Sequence, residues 1–134
     1  LEEEKRIPAP VAVKGLAIAD FDGDGRNDLA VSDFASGTVE VFFQDPSGQL
    51  RLPPRSVAVG LLPGGLLAED LDQDGVLDLA VCLLGVDRVA VLAGLGSGEF
   101  AAPRSFASGP RPRAAGAGDF DGDGRRDLVI AKKR

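Results

Sequence analysis

The sequence lacks several of the side chains on which enzymes and ligand-binding sites most often depend. It contains no histidine, tryptophan, tyrosine or methionine, and only one cysteine, Cys82. Without histidine, the commonest general base and transition-metal ligand is missing. Without tryptophan and tyrosine, the best rings for contacting sugars and cations are missing too. A single cysteine excludes an intrachain disulfide, and its apolar surroundings in "LDLAVCLL" predict a buried thiol.

Long apolar runs are also missing. No run approaches the roughly 20 residues that span a bilayer, so we expect no membrane insertion. No basic-then-apolar targeting segment is visible, which says little about secretion. The 134 residues are 44% hydrophobic, which is ordinary for a folded protein of one domain or a few repeats.

The net charge of −6 is unevenly distributed. Twelve aspartates lie in three short stretches, while the nine other acidic residues of the chain's 21 are outnumbered by 15 lysines and arginines. The stretches are "ADFDGDGRNDLAV" (19–31), "EDLDQDGVLDLAV" (69–81) and "GDFDGDGRRDLVI" (118–130). Each places four aspartates directly beside an apolar segment, so the acidity belongs to three local sites.

The three stretches mark an internal repeat with a period of about 50 residues, a spacing typical of propellers and solenoids. Within one period, short apolar segments separated by Gly, Pro and Asp turns predict four strands, at 16–21, 28–34, 38–43 and 55–60. The organisation is therefore predicted as an N-terminal strand ending a repeat (1–15), repeat 1 (16–65), repeat 2 (66–114) and half of repeat 3 (115–134).

The predicted fold is all-β, with propeller-type blades of four antiparallel strands. The N-terminal segment aligns with the end of a repeat, where Ile7, Ala9 and Val11 correspond to apolar residues of the fourth strand. Counting this strand gives eleven strands, or about two and three-quarter repeats. A closed propeller needs at least four blades, so an incomplete ring is expected.

Each aspartate stretch reads Asp-x-Asp-x-Asp-Gly-x-x-Asp, the spacing of a calcium loop with side-chain ligands at positions 1, 3, 5 and 9 and a backbone carbonyl at position 7. Glycine at position 6 permits the sharp turn. The predicted ligands are Asp20, Asp22, Asp24, Asp28 and the carbonyl of Arg26; Asp70, Asp72, Asp74, Asp78 and the carbonyl of Val76; and Asp119, Asp121, Asp123, Asp127 and the carbonyl of Arg125.

Aspartate and glycine also form good turns, so a purely structural loop is the alternative interpretation. Three copies that each keep all four carboxylates favour a cation, because clustered like charges repel. Hard oxygen ligands in a flexible loop favour Ca²⁺ over Mg²⁺, and zinc lacks its usual ligands here. An EF-hand would carry glutamate at position 12, where this chain has Val31, Val81 and Ile130.

The stretch "GSGEFAAPRSFASGPRPRAAGAGDFDGDGRRDLVIA" (96–131) resembles the FG-GAP/VCBS repeat family, found in integrin-α-like β-propellers. The resemblance extends over about residues 7–131. It implies a calcium-stabilised propeller-type architecture, usually secreted or on a cell surface, and leaves the function open. The second loop departs from the pattern, with Leu71 in place of phenylalanine and Gln73 in place of glycine.

Three classes of function follow. The favoured one is a calcium-binding structural and interaction module, a homo-oligomer whose open strand edges pair into a ring or a head-to-tail filament. The alternative is a fragment of a larger integrin-like propeller with an adhesion or carbohydrate-binding function and a protein or glycan ligand. An enzyme is not expected, because no acid–base pair or activated nucleophile is visible. The basic runs 111–113 and 132–134 lack interleaved aromatics, so no nucleic-acid partner is expected.

Overall fold

The described part of the protein consists of β-strands and their connections. The computed structural model describes Arg6 and residues 12–132. Within these residues no helix is long and apolar enough to cross a membrane. The strands are β1 (Val13–Ala19), β2 (Asp28–Asp33), β3 (Thr38–Phe42), β4 (Arg55–Ala58), β5 (Pro63–Glu69), β6 (Asp78–Leu83), β7 (Arg88–Leu92), β8 (Arg104–Ala107), β9 (Pro112–Gly118) and β10 (Asp127–Lys132).

The strands form three antiparallel sheets, one for each predicted unit. Strands β1–β4 make the first four-stranded sheet, β5–β8 the second, and β9 and β10 a two-stranded third sheet. Neighbours in sequence are neighbours in each sheet, as in the blades of a propeller. The predicted all-β fold with four-stranded blades and an incomplete ring is therefore confirmed.

The predicted N-terminal strand falls mostly outside the described residues, which omit 1–5 and 7–11. At its end, residues 13–15 form the start of β1, whereas the sequence pattern assigned them to the preceding unit. The pattern placed this boundary three residues late because β1 is irregular there. Its register with β2 shifts between Val13 and Gly15, and β5 shifts between Pro63 and Leu66.

The first strands of the three units lie side by side. A β-carbon added to Gly15 would come within 2.3 Å of the carbonyl oxygen of Gly64, and one added to Gly65 would come within 2.4 Å of that of Arg113. Only glycine permits so close an approach between backbones. The first strand of the second unit thus lies between those of the other two units, and each is followed by its aspartate loop.

Apolar side chains between the sheets form the core. One cluster joins the first sheet to the second and contains Val39 and Val41 of β3 together with Leu79, Val81 and Leu92 of the second sheet. A smaller cluster joins the second sheet to the third. Each contact buries the face of one sheet against the next, so the units stabilise one another through the hydrophobic effect.

Cys82 lies in the smaller cluster and is fully buried. Burial raises the pKa of its thiol, which keeps it protonated and unreactive at neutral pH. The predicted buried thiol is confirmed.

Candidate metal centres

Each aspartate loop connects the first strand of a unit to its second strand. The loop begins directly after β1, β5 or β9 and ends on the aspartate that opens β2, β6 or β10. The glycine at position 6 has a positive φ in all three copies, 86° at Gly25, 89° at Gly75 and 82° at Gly124. Residues other than glycine rarely adopt this backbone conformation, so glycine at this position allows the chain to turn around the first aspartate.

The first aspartate of each loop accepts hydrogen bonds from several backbone amides. Oδ1 of Asp20 accepts hydrogen bonds from the amides of Gly23 at 2.8 Å and Asp24 at 3.1 Å, and Oδ2 accepts one from Gly25 at 2.8 Å. Burial pushes the pKa of Asp20 upward, but these amides outweigh it and lower that pKa overall. The carboxylate is therefore charged at neutral pH and fixed in orientation.

The last aspartate of the first two loops is held from two sides. Oδ2 of Asp28 accepts a hydrogen bond from the amide of Phe21 at 2.9 Å, within its own loop. Oδ1 accepts one from the amide of Gln44 at 2.9 Å, in the connection after β3. With only 1% of its surface exposed, Asp28 ties the loop to the far side of its own sheet.

The second loop repeats this arrangement, and the third repeats half of it. Asp78 is 2% exposed and accepts hydrogen bonds from the amides of Leu71 and Gly94, each at 2.8 Å. Asp127 accepts one from the amide of Phe120 at 2.9 Å, is only half-buried, and has no donor to its Oδ1 within the described residues. Among the described residues the third sheet contains β9 and β10 alone, so no connection after a third strand reaches Asp127 in that part of the chain.

Three carboxylates converge in each loop, those at positions 1, 3 and 9. In each group, one carboxylate oxygen per residue lies within 4.8 Å of the others. The groups are Asp20, Asp22 and Asp28; Asp70, Asp72 and Asp78; and Asp119, Asp121 and Asp127. Nine of the twelve predicted side-chain ligands thus meet in three equivalent clusters that could each hold a metal ion.

The aspartates at position 5 point elsewhere. Oδ1 of Asp24 accepts a hydrogen bond from the amide of Arg26 at 2.8 Å, and Oδ2 forms an ion pair with the Arg26 guanidinium at 2.8 Å. Asp74 and Asp123 likewise accept hydrogen bonds from the amide two residues on. Their role as ligands remains a prediction, as does that of the carbonyls of Arg26, Val76 and Arg125.

The clusters are electrostatically unfavourable without a cation. Burial raises the pKa of Asp22, and the charges on Asp28 and Asp24 raise it further. Burial and the charge on Asp78 likewise raise the pKa of Asp72. A divalent cation between these carboxylates would remove the repulsion. The donor set is all oxygen, which suits a hard cation, so the residues present fit Ca²⁺.

Backbone amides were the part of the site that sequence reasoning missed. The amides of Gln44 and Gly94 lie 16 residues after the aspartates they contact. Their side chains take no part, so residue identity gave no signal. The repeat period was the only sequence signal for these two amides, because Gln44 and Gly94 lie one period apart and so occupy equivalent positions in their units.

Comparison with known proteins agrees with this geometry. A comparison with curated proteins gave no match. The profile of the FG-GAP-like repeat matches the chain twice, over residues 20–81 and 70–130. Each match begins at the first aspartate of one loop and reaches the second strand of the next unit. Together they cover most of the chain, and the protein therefore belongs to the FG-GAP-like repeat family.

Proposed function

We propose that the protein is a calcium-binding β-propeller-type module of the extracellular space that self-associates through open strand edges. The convergence of three carboxylates in each of three equivalent loops carries the calcium part. FG-GAP-like repeats occur in extracellular and cell-surface proteins and are structural and interaction modules, which supports the location and the class.

Calcium would act on the fold through the last aspartate of each loop. Asp28 contacts its own loop and the connection after β3, so an ion bound to it would join three segments of the first sheet. Asp78 does the same in the second sheet. Binding to the folded state alone stabilises a protein by mass action, so stability should follow the free calcium concentration.

Self-association is supported by apolar surface on the first and third sheets. Leu16 and Ile18 of β1 are 58% and 63% exposed, while their counterparts Leu66 and Ala68 are half-buried between sheets. Val129 of β10 is 48% exposed, while its counterpart Ala80 is fully buried. Such surfaces resemble a sheet-to-sheet contact that lacks its partner.

Thermal unfolding tests the calcium part of the proposal. We expect a melting temperature in excess chelator well below that in calcium, restored by added Ca²⁺ and poorly by Mg²⁺. An identical melting curve in calcium and in chelator would show that the aspartates only form turns.

Two variants test the ligand set. Asp22→Ala should weaken calcium binding at the first loop, because its carboxylate belongs to the converging group. Asp24→Ala tests position 5. Weakened binding would assign it as a ligand, which requires its carboxylate to leave Arg26 when calcium arrives. Three sites of native affinity in Asp24→Ala would remove position 5 from the ligand set.

A further inference from the structure

One connection between strands touches two of the three aspartate loops. Residues 94–100, the bridging turn, lie between β7 and β8 of the second unit. The base of this turn contacts the second loop, in its own unit, and its tip contacts the first loop, in the neighbouring unit. Two of the candidate metal centres are therefore joined through one short segment.

The base of the bridging turn is held by the last aspartate of the second loop. The amide of Gly94 donates a 2.8 Å hydrogen bond to Oδ1 of Asp78, which belongs to the second carboxylate cluster. A β-carbon added to Gly94 would come within 2.1 Å of the carbonyl oxygen of Leu77, so the turn lies directly against the backbone of this loop. A change in the position of Asp78 therefore acts on the base of the turn.

Backbone hydrogen bonds connect the base of the bridging turn to its tip. Gly94 and Phe100 form an antiparallel bridge, and the amide of Leu95 donates to the carbonyl of Glu99 at 2.8 Å. The amide of Glu99 donates in turn to the carbonyl of Gly96 at 3.1 Å. These bonds fix the tip relative to the base, so the tip is ordered when the base is ordered.

The tip of the bridging turn packs against the first loop. Gly98 is buried, and a β-carbon added there would come within 2.6 Å of the Phe43 ring and 3.4 Å of the β-carbon of Asp22. Asp22 belongs to the first carboxylate cluster. The backbone at Gly98 therefore limits how far Asp22 can move toward the second unit.

Two phenylalanine rings add an apolar contact at the same place. Phe100, at the end of the bridging turn, meets Phe21 of the first loop edge to face, with ring centroids 6.0 Å apart. The amide of Phe21 donates to Oδ2 of Asp28, the last aspartate of the first loop. The bridging turn thus supports two carboxylates of the first cluster, Asp22 directly and Asp28 through Phe21.

We propose that calcium binding at the second loop strengthens calcium binding at the first loop through the bridging turn, an inference that rests on the proposed calcium binding. When the second loop is occupied, Asp78 and the base of the turn lose mobility. The ordered tip then holds Asp22 and Phe21 where the first cluster converges. By linkage, binding at the first loop strengthens binding at the second by the same factor.

The sign of the coupling follows from the cost of ordering. Without a cation the carboxylates of each cluster repel one another, which loosens the loop and the segment that it supports. Ordering the shared turn costs conformational entropy, and this cost falls on the first of the two cations to bind. The second cation binds beside a turn that is already ordered, so its affinity is higher.

The third loop supplies an internal control. Its link to the second unit includes an ion pair between Arg126 and Glu69 at 3.2 Å, in which both side chains are partly exposed. Exposed ion pairs contribute little, because water and salt screen them. Removal of the third site should therefore leave the coupling between the first and second sites in place.

The coupling is measured by isothermal titration of chains that keep one or two sites. All of them carry Asp121→Ala, which removes a converging carboxylate from the third cluster. Adding Asp72→Ala leaves the first site alone, and adding Asp22→Ala leaves the second site alone. Alanine keeps the β-carbon that faces Gly98, so the packing of the tip is retained.

We expect the chain with both sites to bind two calcium ions more tightly than the single-site chains predict. The product of its two binding constants should exceed the product of the two single-site constants about fivefold, at the lower end of the usual range for coupled binding.

Gly98→Ala should remove this fivefold excess, because its β-carbon would force the tip away from Phe43 and Asp22. Gly96→Ala is the matched control. Gly96 lies in the same turn with a φ of 82°, against 81° at Gly98, and its added β-carbon would meet no described atom within 4 Å. The two variants share the backbone strain and differ in the contact with the first loop, so Gly96→Ala should keep the excess.

Phe100→Ala is a second uncoupling variant, and it introduces no clash. It removes the ring that meets Phe21 and should reduce the fivefold excess. Leu50→Ala is its control, since Leu50 forms the equivalent bridge with Gln44 in the first unit, and this variant should keep the excess.

Hydrogen exchange gives a readout that does not depend on calcium at the first site. In the chain with Asp22→Ala and Asp121→Ala, calcium binds at the second loop. It should nevertheless slow the exchange of the Phe21 amide in the first loop, and Gly98→Ala should abolish that protection.

Two results would overturn the inference and leave the proposed calcium binding intact. In the first, the two-site product equals the single-site product, so the sites are independent. In the second, Gly96→Ala loses the excess as fully as Gly98→Ala, so backbone strain explains the loss and the contact with the first loop does not. If no chain binds calcium, the proposed function fails, and the coupling with it.

Discussion

The first and third aspartate loops have almost the same sequence and different surroundings. Residues 20–29 and 119–128 differ only at Asn27, which is Arg126 in the third loop. Yet Asp28 is 1% exposed and held by two amides, whereas Asp127 is half-buried and held by one. The loop sequence determines the local turn. The rest of the sheet determines how firmly the carboxylate of the last aspartate is held.

Replacement of the last aspartate of each loop, Asp28 or Asp127, should give the largest difference in stability between the first and third loops. Asp28→Ala leaves the amides of Phe21 and Gln44 without their acceptor, and an unsatisfied buried group costs about 1–3 kcal/mol. We expect a loss of unfolding free energy of about 3–5 kcal/mol for Asp28→Ala and about 1–2 kcal/mol for Asp127→Ala. Urea unfolding in saturating calcium measures both.

Each of these variants loses one carboxylate from its proposed calcium site, so the difference between them reports the amides. Equal losses would mean that the hydrogen bond from Gln44 contributes little and that burial does not distinguish the first loop from the third.

The contact between the first and second sheets should contribute more to stability than the contact between the second and third sheets. Val41→Ala removes apolar atoms from a fully buried site, and Val91→Ala removes them from a half-buried site that lines an apolar groove between the second and third sheets. We expect losses of about 2–3 kcal/mol and about 1 kcal/mol in urea unfolding. Equal losses would mean that the site of Val91 is packed as tightly as the site of Val41.

The second loop offers a stabilising change. Gln73 has a positive φ of 61°, where the first and third loops have Gly23 and Gly122. Gln73→Gly should relieve this strain and raise the unfolding free energy by about 0.5–1 kcal/mol, after the extra freedom of glycine in the unfolded chain is included. Gly23→Gln is the matched reverse change and should destabilise the first loop.

The smallest expected effect concerns the turn after β3. The hydroxyl of Ser47, with the amides of Gln49 and Ser47, holds the pKa of Asp45 below its usual value. A lowered folded-state pKa stabilises the protein above the unfolded pKa of about 3.9, and the contribution is lost as the pH falls through the folded-state pKa. The second unit has Leu95 at this position.

Comparison of Asp45→Asn with the wild type at several pH values checks this sign. The melting temperature of the wild type should exceed that of the variant at neutral pH, and the gap should narrow below about pH 4. A gap that stays constant down to pH 2 would assign the effect to the hydrogen bonds and not to the charge.

Much of the fold could be predicted because the aspartate loop and its flanking strands occur three times in the sequence. The spacing of Asp20, Asp70 and Asp119 gave the repeat, and the strands near 28–34 and 38–43 were confirmed as β2 and β3. The start of β1 was placed late because its register shift near Gly15 breaks the alternation on which strand prediction rests.

The sequence predicted which carboxylates the candidate site contains. It did not predict the groups that hold those carboxylates in place. The carboxylates of Asp20, Asp22 and Asp28 converge as their spacing indicated. The turn of Asp24 toward Arg26 was not predicted, because a neighbouring cation competes for that carboxylate and the motif does not record it. The amide of Gln44 contributes through backbone position alone, which residue types do not encode.

Isothermal titration of the metal-free chain with calcium tests whether the three carboxylate clusters are calcium sites whose affinity depends on how their last aspartate is held. We expect three Ca²⁺ per chain, two of higher affinity, and a weaker third that Asp127→Asn abolishes while leaving the other two. Asp28→Asn should instead abolish one of the two stronger sites. Titration heats that show no binding, or three sites of equal affinity in the monomer, would contradict it.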